Sequence, residues 1–253
     1  MKEITSIKQI SSNKYSLLIE GKKHVVYDDV LLKYHILKKG KISDEVYRGI
    51  INSNNFHEGY NRALKFIAFK MRTEKEVREK LTKISVPKKD QDMIIKRLYE
   101  ERYLDDEKYI RAYINDQINL SLSGPKKIIL NLKKEGFEAD AIYKYIDNVN
   151  EDVWKDQAKK ILKKKLKSYQ KYSKKMFLMK LKNDYQNLGY DECHYANLLN
   201  NLDFDDELAL EKDYQKVLLK LSKKYQGDKL QLMIKQKLYA LGYSLDNIEK
   251  VMK

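Results

Sequence analysis

Residues 132–137 read LKKEGF, residues 185–190 read YQNLGY and residues 238–243 read LYALGY. Their glycines, Gly136, Gly189 and Gly242, follow one another at intervals of 53 positions. The register holds upstream, where Ile128, Leu181 and Ile234 correspond, as do Leu132, Tyr185 and Leu238. It also holds downstream through Ile142, Tyr195 and Ile248, then Tyr145, Leu198 and Val251, then Ile146, Leu199 and Met252. The upstream pairs stand four residues apart and the downstream trios have offsets of 0, 3 and 4, each one face of an α-helix. Glycine ends a helix readily because it enters the left-handed region without a Cβ clash. Phe137, Tyr190 and Tyr243 can then fold back onto the last turn, and Asp191 and Ser244 stand where the next helix needs an N-cap.

A further helix precedes each pair. Ile110, Tyr113, Ile114 and Ile118 share a face in one copy, Ala158, Ile161, Leu162, Leu166 and Tyr169 in the next, and Tyr214, Val217, Leu218, Leu221 and Tyr225 in the last. The unit is a three-helix module of about 50 residues, within the range of helical repeats. An earlier copy has Tyr60, Leu64, Ile67 and Met71 on its first helix, a T-x-x-E capping box at Thr73 and Glu76, and the pair Val77 and Leu81. There Ser85-Val86-Pro87 replaces the glycine turn, and Ile94, Ile95 and Leu98 form the third helix. Pro125, after Gly124, suits a first helical position, where its missing N–H costs nothing.

Residues 1–27 differ. Apolar-rich runs at 4–10, 15–20 and 23–27 read as a small antiparallel β element. Asp28 can cap a helix through Leu37, and Ser43 another through Ile51. The expected architecture is mainly α: tandem three-helix repeats in an elongated curved array, with a small N-terminal β element. Residues 1–55 hold a β hairpin or meander plus short helices, and the four repeats occupy 56–104, 105–150, 151–204 and 205–253.

The pairs Asp105-Asp106, Asp205-Asp206 and Asp28-Asp29 each precede an apolar-periodic run. That placement favours helix capping over metal or acid–base chemistry. The histidines, His24, His35, His57 and His194, are scattered, and Cys193-His194 lacks partners at zinc spacing. His194 reads as a surface or boundary residue, and Trp154 as core. No phosphate-binding loop or nucleophile elbow occurs, so no cofactor, metal or catalytic residue is expected.

Glycine (9) and proline (2) are scarce, which favours helices over a sandwich or barrel. The longest apolar runs are too short for a membrane span, no signal-peptide block opens the chain, and one cysteine, Cys193, precludes an internal disulfide. A cytoplasmic monomer is expected. The net charge of +15 favours an anionic partner, nucleic acid first. Its placement is uneven: residues 155–182 carry twelve lysines and one acid, Asp156, whereas all seven arginines fall between positions 48 and 111.

The runs ALKFIAFKMRTEKEVREKL (63–81), IIKRLYEERYLDDEKYIRAYI (94–114) and GPKKIILNLKKEGF (124–137) resemble the RecX family, bacterial regulators of the RecA recombinase. The resemblance is carried by residues 56–150. The rest of the chain is similar to the longer form of Gram-positive bacteria, with repeats three and four matching less closely and Ser85 in place of the usual glycine turn. The resemblance implies a non-enzymatic protein that binds the groove of the RecA–DNA filament, single- or double-stranded DNA being an auxiliary contact. It would thereby limit filament growth, ATP hydrolysis and strand exchange. By motif position, the candidate contacts are Arg72, Lys75, Arg78, Lys126, Lys127, Lys133 and Lys134. Lys159, Lys160, Lys163, Lys164 and Lys165 are secondary DNA candidates. Two other readings are a basic helical DNA-binding protein that acts without RecA, and a helical scaffold unrelated to nucleic acid.

Overall fold

The computed structural model describes residues 1–253. The chain divides into two compact units, Met1–Tyr109 and Ile110–Lys253.

The first unit opens with strands β1 (Lys2–Ser11), β2 (Lys14–Ile19) and β3 (Lys22–Tyr27), joined by tight turns. In the second turn Glu20 and Gly21 both take positive φ, the geometry that matches a two-residue hairpin to strand twist. Helix α1 (Asp28–Lys33) follows, then a strand the apolar pattern did not disclose, β4 (Gly40–Ile42). The antiparallel sheet has the order β3-β2-β1-β4, with Lys2 opposite Ile42 and Ile4 opposite Ile19. One face, through Ile4, Leu17, Ile19 and Val26, packs on Val30, Leu31 and Ile50.

Helix α2 (Asp44–Ile67) corrects the expectation of short helices here. Ser43 caps it by accepting from the Val46 N–H, and the helix continues past Ile51. The polar residues at 52–55 do not break it because they have partners: Asn54 accepts from the Tyr27 N–H and donates to the Val25 carbonyl, which clamps the helix to β3. Met71, expected on this helix face, lies beyond its end and is exposed. Helix α1 likewise ends at Lys33 rather than Leu37, and Asp28 lies in its first turn without capping it.

The far half of α2, with α3 (Glu74–Lys83) and α4 (Lys88–Glu100), encloses Tyr60, Ala63, Val77, Leu81, Ile94 and Leu98. Thr73 closes a reciprocal capping box: its hydroxyl accepts from the Glu76 N–H at 3.1 Å, and Glu76 accepts from the Thr73 N–H at 3.1 Å. Burial alone would raise the Glu76 pKa, but this backbone bond and the Arg72 guanidinium bring it below the ordinary value. Thr73→Ala is expected to destabilise the first unit by about 1 kcal/mol in urea unfolding. A depressed carboxylate stabilises the fold above its unfolded pKa and loses that contribution as pH falls through the folded one. The cost of Glu76→Gln should therefore shrink in acid.

The second unit is helical throughout. Helix α5 (Asp106–Asn119) leads into it, followed by α6 (Pro125–Lys134) and α7 (Ala139–Ile146). Next come α8 (Glu151–Tyr169), α9 (Lys174–Leu188), a 3-10 turn (Glu192–His194) and α10 (Ala196–Asn200). The chain finishes with α11 (Glu207–Leu221), α12 (Gly227–Ala240) and α13 (Leu245–Met252).

The turn after the middle helix of each trio has the same form. Gly136, Gly189 and Gly242 have φ of 97°, 83° and 93°. The residue after each glycine donates its N–H to the carbonyl five positions back: Phe137 to Leu132, Tyr190 to Tyr185, Tyr243 to Leu238. Val86 does the same to Leu81, with Ser85 itself at φ 59°. The accepting residues Leu81, Leu132, Tyr185 and Leu238 are all fully buried. The repeat is thus one physical device used four times, a helix stop that seals an apolar anchor beneath it.

Repeat three departs from the pattern in its last helix. The expected helix is broken into a 3-10 turn and a five-residue helix: Leu198 and Leu199 lie in α10, and Tyr195 sits at the junction between the two. His194, read as a surface or boundary residue, is buried: its Nδ1 accepts from the Asp191 N–H while its ring meets Tyr190 edge-on.

Candidate interaction surface

The aspartate pairs resolve into three arrangements. Asp105 caps α5 by accepting from the Lys108 N–H, while Asp106 accepts the Tyr99 hydroxyl, burial raising its pKa. Asp205 accepts from the Glu207 N–H at the start of α11. Asp206 does not serve its own helix. It reaches across to accept from the Lys174 N–H, 2.8 Å away, at the start of α9. Asp28 accepts only from its neighbour's N–H, Asp29.

Asp206 is part of a joint between consecutive modules that the linear pattern did not reveal. The Ser173 hydroxyl, at the start of α9, donates to the Leu241 carbonyl in the turn after α12 at 2.6 Å. One module earlier, the Gly124 N–H donates to the Leu188 carbonyl at 2.6 Å and the Lys126 N–H to the Gly189 carbonyl at 3.1 Å. In both places the N-terminus of a middle helix plugs into the glycine turn of the following module. At the first joint backbone donors left over at a helix start meet acceptors left over at a helix end, and at the second the Ser173 hydroxyl is the donor. The Tyr190 hydroxyl closes the first joint on the Leu122 carbonyl. The only sequence signal was the small residue, Gly124 or Ser173, before each plugging helix.

Several cations proposed as contacts have structural work. Arg72 stacks on Phe66 at 3.8 Å and bonds Glu76 at 2.9 Å. Arg78 bonds Glu74 at 2.6 Å and Asp92 at 2.7 Å; burial works against its charge, and the two carboxylates more than restore it. Arg62 and Arg97 are also paired, with Glu58 and Glu101. The arginine cluster is therefore largely a set of intrahelical and interhelical ion pairs. Lys75, in the first turn of α3, is exposed, as is Lys134 in the last turn of α6. Lys126 bonds Asp191 across the joint, which raises its pKa, and Lys127 lies against Gly189. Lys133 is exposed and sits 5.7 Å from the Tyr143 ring.

On α8 the picture is different. Lys165 is tied to Asp184 at 2.8 Å and held above its ordinary pKa by that bond. Lys159, Lys160, Lys163 and Lys164 are exposed and make no ion pair. They form the densest unneutralised positive surface among the candidates. No group of three or more His, Cys, Asp or Glu side chains converges as metal ligands would. No helix is long and apolar enough to cross a membrane.

Residues 60–98 match the family model described as RecX, first three-helix domain. Relatives extend the likeness over nearly the whole chain. The regulatory protein RecX of Oceanobacillus iheyensis is 27% identical over 89% of this chain and 85% of its own length. That of Streptococcus thermophilus is 29% identical over 98% of each. Among solved structures, a crystal structure of regulatory protein RecX superposes with a TM-score of 0.67 over 78% of this chain and 98% of the other, at 24% identity, a likeness of fold.

Proposed function

The chain belongs to the RecX family, and from that premise we propose that it regulates the RecA recombinase by binding the RecA–DNA filament. It restrains filament growth, ATP hydrolysis and strand exchange, and it catalyses nothing itself. It works in the cytoplasm as a monomer, with DNA as an auxiliary ligand. The observation that carries this reading is the full-length likeness to regulatory proteins of this family together with the repeated module. A polymeric target presents the same surface at regular intervals, and a chain of repeated modules can answer it at several points.

Among the contact candidates, Lys159, Lys160, Lys163 and Lys164 of α8 form a cluster that meets phosphate or acidic side chains without first breaking an internal ion pair. Lys126, Lys127, Lys133 and Lys134 are further candidates in the second unit, and Lys75 is one in the first. Arg72 and Arg78 act chiefly by holding α3 in place. The second reading, DNA binding without RecA, draws on the same α8 lysines.

The test is the DNA-dependent ATPase of RecA titrated with this protein. Inhibition well below one chain per RecA protomer, on DNA left mostly uncovered, is expected. Inhibition only when the DNA is saturated, lost steeply with added salt, would establish the DNA-binding alternative instead.

A further inference from the structure

Two depressions in the second unit meet at Asn119 and Val153, which line both, and together make a grooved surface along α5 and α8. Its floor is aliphatic: Ile114, Ile118, Val149 and Val153. One wall rises from α8 as Lys159, Lys160 and Lys163, and the far end is closed by Arg111 stacked on Tyr145 at 4.7 Å. Four cations thus face one carboxylate, Asp156. Gln157, 5% exposed, lines the α8 side and leaves its Oε1 without a hydrogen-bond partner.

We propose that this groove docks an acidic amphipathic segment of a protein partner, with aliphatic side chains on the floor and carboxylates along the lysine wall. The chemistry selects that occupant. A nucleic-acid strand is held by free aromatic faces for its bases, and the one ring here, Tyr145, is already covered by Arg111 and lies 5.3 Å from the Lys144 ammonium. Asn119 turns its amide N–H back onto Asn115, so that pair is not set to read base edges. An aliphatic floor bordered by lysines is instead complementary to apolar anchors flanked by acids, the pattern of a helix laid in a groove. The α5 side, Arg111 to Asn119, runs about 12 Å, room for about two turns of a docked helix. The inference goes beyond the regulatory reading and does not depend on which protein supplies the segment.

The test uses the full chain and three fluorescein-labelled probes: a glutamate-rich peptide with leucines at helical spacing, its composition-matched scramble, and a 20-residue oligothymidylate. Anisotropy is read for the native protein, Lys160→Glu/Lys163→Glu and Asn119→Trp. The last substitution fills the middle of the groove from an exposed position without altering charge. The amphipathic peptide should bind more tightly than its scramble and lose about tenfold affinity in either variant. The oligothymidylate should respond to the lysine changes alone. Equal binding of peptide and scramble, native peptide affinity in Asn119→Trp, or loss of oligothymidylate binding in Asn119→Trp would overturn the proposal, the last by giving the groove to nucleic acid.

Discussion

Gly189→Ala is expected to destabilise the second unit by about 3 kcal/mol or more, while Gly136→Ala costs about 1–2 kcal/mol. Both glycines take the left-handed conformation, so both substitutions incur the same backbone strain. They differ in what the new methyl meets. At Gly136 there is nothing within 4 Å, whereas at Gly189 it would press into the backbone nitrogen of Lys127 and lie 2.6 Å from that residue's Cβ. Neither is the end of a flexible side chain, so α6 must back out of its socket and surrender the bonds to Leu188 and Gly189. Urea titrations of the two variants, followed by circular dichroism, separate the strain from the joint. Equal costs would mean that the joint contributes nothing to stability.

Tyr185→Ala is expected to cost about 3–5 kcal/mol, the range for deleting a large buried ring. Tyr185 is fully buried, stacks on Tyr195 at 4.3 Å and donates to the Ala158 carbonyl at 2.7 Å. The equivalent position is leucine in the other three modules, so Tyr185→Leu should retain the helix stop and lose less. Tyr185→Phe should cost about 1 kcal/mol, the loss of one buried hydrogen bond, because the Ala158 carbonyl keeps its partner within α8. Burial raises the Tyr185 pKa. A raised phenol favours the folded state fully below the unfolded value of about 10, and that contribution disappears as pH climbs through the folded value. Above pH 10 the unfolded chain releases a proton that the folded chain keeps. The native protein should therefore lose stability there, and the Phe variant should lose less.

These two positions show where the sequence was transparent and where it was not. The 53-residue spacing of Gly136, Gly189 and Gly242 marked three equivalent helix stops because a left-handed turn and a buried residue four positions before it are local requirements. Thr73 and Glu76 announced their capping box for the same reason. The failures are long-range. Asp206 looked like a cap for the helix beside it, and its partner is Lys174, 32 positions back. His194 read as a surface or boundary residue, and Tyr190 and Asp191 bury it. The helix capped by Ser43 read as running through Ile51, and it continues because Asn54 draws its bonds from β3. The candidate surface was legible as charge and not as availability. Arg72 and Arg78 stood out as motif positions, and only the fold reveals Glu74, Glu76 and Asp92 beside them, whereas Lys159, Lys160, Lys163 and Lys164 of α8 make no ion pair.

The modular joint is most directly tested by amide hydrogen exchange at Gly124 and Lys126, measured residue by residue in the native protein. Plugged into the turn at Leu188 and Gly189, both amides should exchange as slowly as the buried middle of α9 and should speed up together in Gly189→Ala. Exchange at the rate of an open helix start, unchanged by that substitution, would contradict the tandem arrangement of modules described above.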